Sequence, residues 1–140
     1  TSRDLVAKVN GELVRQMAYL SRRDIIEESL VNYGGAIIVD NLNEAFDVSN
    51  YLAPEHLEVL VDNPVNMLPK IKNAGSIFLG EYSPEPLGDY MSGTNHVLPT
   101  GGTAKFYSAL GYMILLNIHL IAIILKSLRR IKEDVIKLLK

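Results

Sequence analysis

Ala74-Gly-Ser-Ile-Phe-Leu-Gly-Glu-Tyr-Ser-Pro-Glu-Pro-Leu-Gly-Asp-Tyr-Met-Ser-Gly-Thr-Asn-His-Val-Leu-Pro-Thr100 decides the fold class. Ser76 to Gly80 reads as a short apolar strand that runs straight into Glu81 to Ala104, a long loop dense in Gly, Pro and small polar residues. A loop of that length without secondary structure of its own is usually functional. Upstream, Leu57-Glu-Val-Leu-Val61 reads as another strand, and Pro64 to Asn73 as a short helix that starts near a Pro. Ala36-Ile-Ile-Val-Asp40 is a third β-branched run, bounded by Gly34-Gly35. A helix is expected from about Asn41 to Leu52, with Leu42, Ala45, Phe46 and Tyr51 or Leu52 turned inward.

Two amphipathic helices open the chain. Leu5, Val6, Val9, Leu13, Met17 and Leu20 recur at helical spacing after a possible Ser2 cap, and Ile25, Ile26, Leu30 and Tyr33 recur after Ser21. Strands alternating with helices predict an α/β domain, a layered sheet with flanking helices of partial Rossmann-like form, over residues 1–106. In open parallel sheets ligands gather beyond the carboxyl ends of the strands, which is where the loop after Gly80 begins. Residues 107–140 are expected to form a C-terminal helical segment. Within it Tyr107 to Leu125 carries no charge, long enough to span a bilayer. The amphipathic pattern elsewhere and Gly111 favour burial in a core or subunit interface over a membrane span.

At 140 residues and 48% hydrophobic, the composition is that of a globular chain with one ordinary core. The absence of cysteine excludes disulfides and thiolate metal sites, and a cytoplasmic location is the default. The net charge is −2, with six basic and two acidic residues between Lys126 and Lys140. No aromatic residue interleaves those charges and no nucleic-acid motif accompanies them, so they read as a solvated helix face, with no nucleic-acid partner.

Four residues stand out as candidates for chemistry. Glu55 and His56 are adjacent, so in a regular strand they would point to opposite faces, and only a turn or strand entry, which Pro54 favours, lets both reach one substrate. His56 suits proton transfer near neutral pH, and Glu55 can activate a water. The alternative for the pair is a turn with exposed polar residues. Asp89 could offer an oxygen to a metal or simply form a turn. His96, seven residues further on, could bind substrate or hydrogen-bond its own loop. The three histidines, His56, His96 and His119, show no short zinc-ligand spacing, and His119 reads as a core or interface residue. No Gly-x-Gly-x-x-Gly follows a strand, and Gly101-Gly102-Thr103 is too short to mark a phosphate site, so no nicotinamide site is visible.

Ala53-Pro-Glu-His-Leu57 and Gly88 to Thr100 closely resemble the zinc- and NAD-dependent histidinol dehydrogenases, and the likeness runs from about Asp4 through Leu110. That resemblance implies oxidation of L-histidinol to the aldehyde and then to L-histidine by two hydride transfers to NAD, with zinc orienting the substrate's amino and imidazole groups. It implies that Glu55 activates the water that adds to the aldehyde, and that His56 is the base for the alcohol and hydrate protons. Asp89 would be a zinc ligand, with His56, Asp89 and His96 near the substrate. The family's other zinc ligands, a Gln and a His upstream and a His near the C-terminus, have no counterpart in this sequence, nor does its NAD-holding domain. The resemblance therefore implies a truncated C-terminal part that binds neither zinc nor NAD by itself and works, if at all, with a complementary chain. A homodimer or larger assembly is expected. The alternative is a non-catalytic, oligomerising interaction module.

Overall fold

Glu58 and Phe78 sit opposite each other in the middle of a parallel pair of strands, His56–Val59 (β1) and Ser76–Leu79 (β2), whose register also matches His56 with Ser76 and Val59 with Leu79. The computed structural model describes residues 1–110 and the backbone of 120–122. Leu120–Ala122 (β3) lies parallel along the other edge of β2, so the strand order is β1-β2-β3. The expected helix over 107–125 thus meets a strand at 120–122, because an uncharged apolar run fits a buried strand as well as a buried helix. Tyr107 to Leu110, the start of the expected helical segment, are not helical, and Tyr107 and Leu110 are exposed. Residues 111–119 and 123–140, with the rest of the proposed interface or membrane segment and the basic tail, lie outside the described residues. Among the described residues no helix is long and apolar enough to cross a membrane.

Strand alternation gives the sheet two different faces. Leu57, Val59, Ile77 and Leu79 point to one side, where Phe46, Ile71, Ala74, Met67 and Leu68 complete the core. Burying a side chain the size of Ile77 contributes about 1.5–3 kcal/mol. His56, Glu58 and Phe78 serve the other face, where the short helix Glu85–Tyr90 (α4) packs. The result is a mixed α/β arrangement with a small parallel sheet, as the alternation of strands and helices predicts.

The chain divides into two compact units, Thr1–Ala45 and Phe46–Lys140. In the first, Arg3–Met17 (α1) starts at Ser2, whose hydroxyl accepts from Leu5 N at 3.1 Å, as the Ser2 cap predicts. Arg23–Tyr33 (α2) has Arg22 at its start with no side-chain cap, and it ends at Gly34. Neither helix has a buried residue. The run Ala36 to Asp40 is not a strand. It has no ladder partner among the described residues, and Ile37 is 62% exposed. A β-branched run becomes a strand only where a neighbour accepts its ladder, and no described strand does so here.

Leu42–Leu52 (α3) starts in the first unit and continues in the second. Asn41 Oδ1 accepts from Asn43 N and Glu44 N, while Glu44 reaches back to Asp40 N, so both sides of the helix start are satisfied. Of its expected inward residues only Phe46 is buried; Leu42, Tyr51 and Leu52 are exposed. After β1, the short helix expected from Pro64 to Asn73 is a 3-10 helix over Pro64–Lys70, with Pro69 inside it, and it ends three residues earlier than expected. Asn50 ties α3 to the exit of this segment: its side chain donates to Lys70 O at 2.8 Å and accepts from Lys72 N at 2.7 Å and Asn73 N at 3.2 Å. Gly75 then approaches β1 so closely that a Cβ would lie 2.6 Å from Glu55 O.

Candidate functional site

Ala53, fully buried, takes a left-handed φ of 50°, and its N–H donates to Ser49 O, closing the end of α3. This residue and Pro54 swing the chain out of the helix and into the sheet. Glu55 occupies the bend and is half-buried; its carbonyl accepts from Ser76 N at 2.7 Å. His56 is the first residue of β1. The pair therefore sits at a strand entry, the one arrangement in which the sequence allows neighbours to serve a common substrate.

The loop expected from Glu81 to Ala104 is interrupted by α4, which the sequence reading did not anticipate. Pro84, Pro86 and Gly88 within five residues resemble loop punctuation, yet a proline in the first turn costs no internal hydrogen bond. The acidic Glu85 in that first turn was the available signal. Gly88 is not a flexible point of ligand approach. It is buried under Phe78, where a Cβ would lie 2.8 Å from two ring carbons.

Because α4 is helical, Glu85 and Asp89, four apart, fall on one face. That face meets His56: its Nε2 stands 3.7 Å from Glu85 Oε1, an ion-pair distance when the imidazole is protonated. One donor atom each from His56, Glu85 and Asp89 lies within 4.8 Å of the others. The His56 ring also rests near Phe78, with centroids 6.0 Å apart and tilted. Burial raises the Glu85 carboxyl above the ordinary glutamate range; His56 opposes this, and Asp89, through charge and hydrogen bonding, adds to it.

This cluster gathers at the amino end of β1, not beyond the carboxyl ends of the strands. The chain leaves β2 at its carboxyl end, as expected, but α4 doubles back across the sheet face. The carboxyl ends of β1 and β2 border an open groove of about 480 Å³ lined by Leu60, Val61, Gly80 and Tyr82 among others. None of the four candidate residues lines it.

After α4, Ser92 Oγ and Thr94 Oγ1 both reach Gly88 O, at 3.0 and 3.1 Å, and fix the start of the next segment. Asn95 donates to Leu110 O and its Oδ1 accepts from Val97 N. His96 is exposed and is not one of the grouped donors. The structure thus unites His56 with Asp89, adds Glu85, places Glu55 next to the group in sequence, and leaves His96 apart. One imidazole nitrogen and two carboxylate oxygens form a donor set that suits zinc.

The sequence model of the family described as histidinol dehydrogenase matches residues 1–140. A histidinol dehydrogenase of Lactococcus lactis is 72% identical over 111 residues, 79% of this chain and 26% of that protein. One of Caldanaerobacter subterraneus is 51% identical over 139 residues, 99% of this chain and 32% of that protein. The crystal structure of histidinol dehydrogenase from Elizabethkingia anophelis superposes with a TM-score of 0.76 at 38% identity, covering 79% of this chain and 25% of that one. The chain therefore spans between a quarter and a third of the length of these relatives. On this evidence the chain belongs to the histidinol dehydrogenase family.

Proposed function

We propose that the chain supplies the acid/base part of a histidinol dehydrogenase active site, acting in the NAD-dependent oxidation of L-histidinol to L-histidine. The observation that carries this reading is the approach of α4 to the start of β1, which brings Asp89 and His56 within 4.8 Å in a chain of this family. His56 accepts the proton of the substrate's alcohol and later that of the aldehyde hydrate, a task suited to an imidazole that is only partly buried. Glu55, at the strand entry beside it, draws a proton from the water that adds to the aldehyde. Asp89 offers its oxygen to zinc, and His96 contacts substrate from the segment after α4.

When bound, zinc would polarise and orient the substrate's nitrogen ligands, and NAD would take up hydride. Asp89 is the one zinc ligand that the family pattern places in this chain, and no residue here is given to NAD. Catalytic zinc takes three or more protein ligands, so in this reading Asp89 acts together with ligands from segments of the family's length that these 140 residues do not span. A Rossmann-like layered domain, a cytoplasmic location and an assembly of at least two copies belong to the same reading.

The test is NADH formation from histidinol, NAD and zinc, by the chain alone and with a polypeptide carrying the upstream segments of the Lactococcus relative. Turnover is expected only in the mixture, and His56→Ala or Glu55→Gln should abolish it while circular dichroism stays unchanged. Undiminished turnover in either variant refutes the roles given. Activity of the chain alone would show that zinc and NAD sites are complete within it.

A further inference from the structure

Glu58 has no role in the chemistry above, yet alongside the approach of His56 to Glu85 it makes another polar contact between β1 and α4. It stands two residues after His56, on the same face of the strand, and its Oε1 accepts from Glu85 N at 2.7 Å. The first amides of a helix have no partner inside it, and here Pro84 and Pro86 have no N–H to offer. Glu85 N is therefore the first donor that α4 presents, and a strand carboxylate takes it. The second contact lies on the same rung of the sheet: Phe78, the register partner of Glu58, carries Gly88 on its ring. A helix of six residues is too short to hold its place through its own hydrogen bonds.

We propose that Glu58 is a positioning residue: by holding the amide of Glu85 it sets the axial position and rotation of α4, and so brings Glu85 and Asp89 to His56. The meaning of that group as an active site rests on the function proposed above. The positioning itself does not. Without the carboxylate, α4 keeps its packing on Phe78 but loses the contact that fixes its first turn, and the side chains one turn apart on its face move relative to the imidazole.

The test uses the full chain, labelled for NMR, without substrate, zinc or NAD. In Glu58→Ala the Glu85 amide is expected to exchange roughly tenfold faster or more. Its proton should shift upfield, and the His56 ring resonances should move. The amides of Ile77 and Leu79 should keep their parent exchange rates. Glu58→Gln, whose side-chain oxygen can still accept, should restore most of the Glu85 protection and of the His56 shift. A folded Glu58→Ala with both signals unchanged overturns the proposal. If Glu58→Ala unfolds, Glu58→Gln decides: a protected Glu85 amide supports the cap and an unprotected one overturns it. Since no turnover is read, failure of this cap and failure of the histidinol reaction are separate results.

Discussion

Gly88 lies against the ring of Phe78 with no room for a methyl group, since a Cβ would stand 2.8 Å from two ring carbons. Phe78 is almost fully buried between its strand neighbours and cannot retreat without disturbing the core. Gly88→Ala should therefore destabilise the fold by about 1–3 kcal/mol through overpacking. Urea denaturation checks this. A parent-like midpoint would mean that α4 can lift from the sheet at little cost.

Asn50 serves three backbone groups at once, Lys70 O, Lys72 N and Asn73 N. Asn50→Ala leaves all three without this partner and should cost about 1–3 kcal/mol. Asn50→Asp keeps the acceptor for the two amides but sets a carboxylate against the Lys70 carbonyl. It should fall between parent and alanine variant in thermal unfolding.

Glu12 provides a pH prediction. Hydrogen bonds from Arg15, and then Gln16, lower its pKa from 4.5 to about 2. A carboxylate whose folded pKa is depressed contributes stability above its unfolded pKa, and that contribution disappears as pH falls through the folded value. The helicity of α1 should thus decline between about pH 4.5 and pH 2, and less steeply in Glu12→Gln. The effect is small and should weaken with salt, because the pair is exposed. Circular dichroism titrations of both proteins at low and high ionic strength make the comparison.

Ala53 holds a left-handed backbone at full burial. A side chain there meets a conformational cost of about 1–2 kcal/mol, which Gly escapes, while a branched side chain meets the same cost and also lacks space. Ala53→Val should lose about 2 kcal/mol or more. Ala53→Gly should stay within about 1 kcal/mol of the parent. Equal losses in the two variants would show that the turn is free to take another conformation.

The elements set by simple patterns were legible in the sequence. β1, β2 and the first three helices follow from apolar runs and helical spacing, and Pro54 signalled that Glu55 and His56 stand at a strand entry. What escaped depends on partners far along the chain. Ala36 to Asp40 has the composition of a strand but no described neighbour, and α4 was concealed by two prolines and a glycine that suit a helix start and a close packing site. Glu85 and Glu58 looked like ordinary surface acids, because their significance arises only when α4 folds back 27 residues later onto β1.

Gly75 gives the site its handedness with respect to the sheet. With a Cβ excluded at 2.6 Å from Glu55 O, a pairing shifted by one residue would bring Ala74 or Ser76 to that point and meet a clash. Such a slip would also turn His56 toward the apolar side and Leu57 toward α4. The molecule could then keep its helices intact yet no longer bring an imidazole to the carboxylates of α4. Assembly of the His56, Glu85 and Asp89 group is thus a matter of alignment fidelity during folding, and a glycine with no chemistry of its own proofreads it.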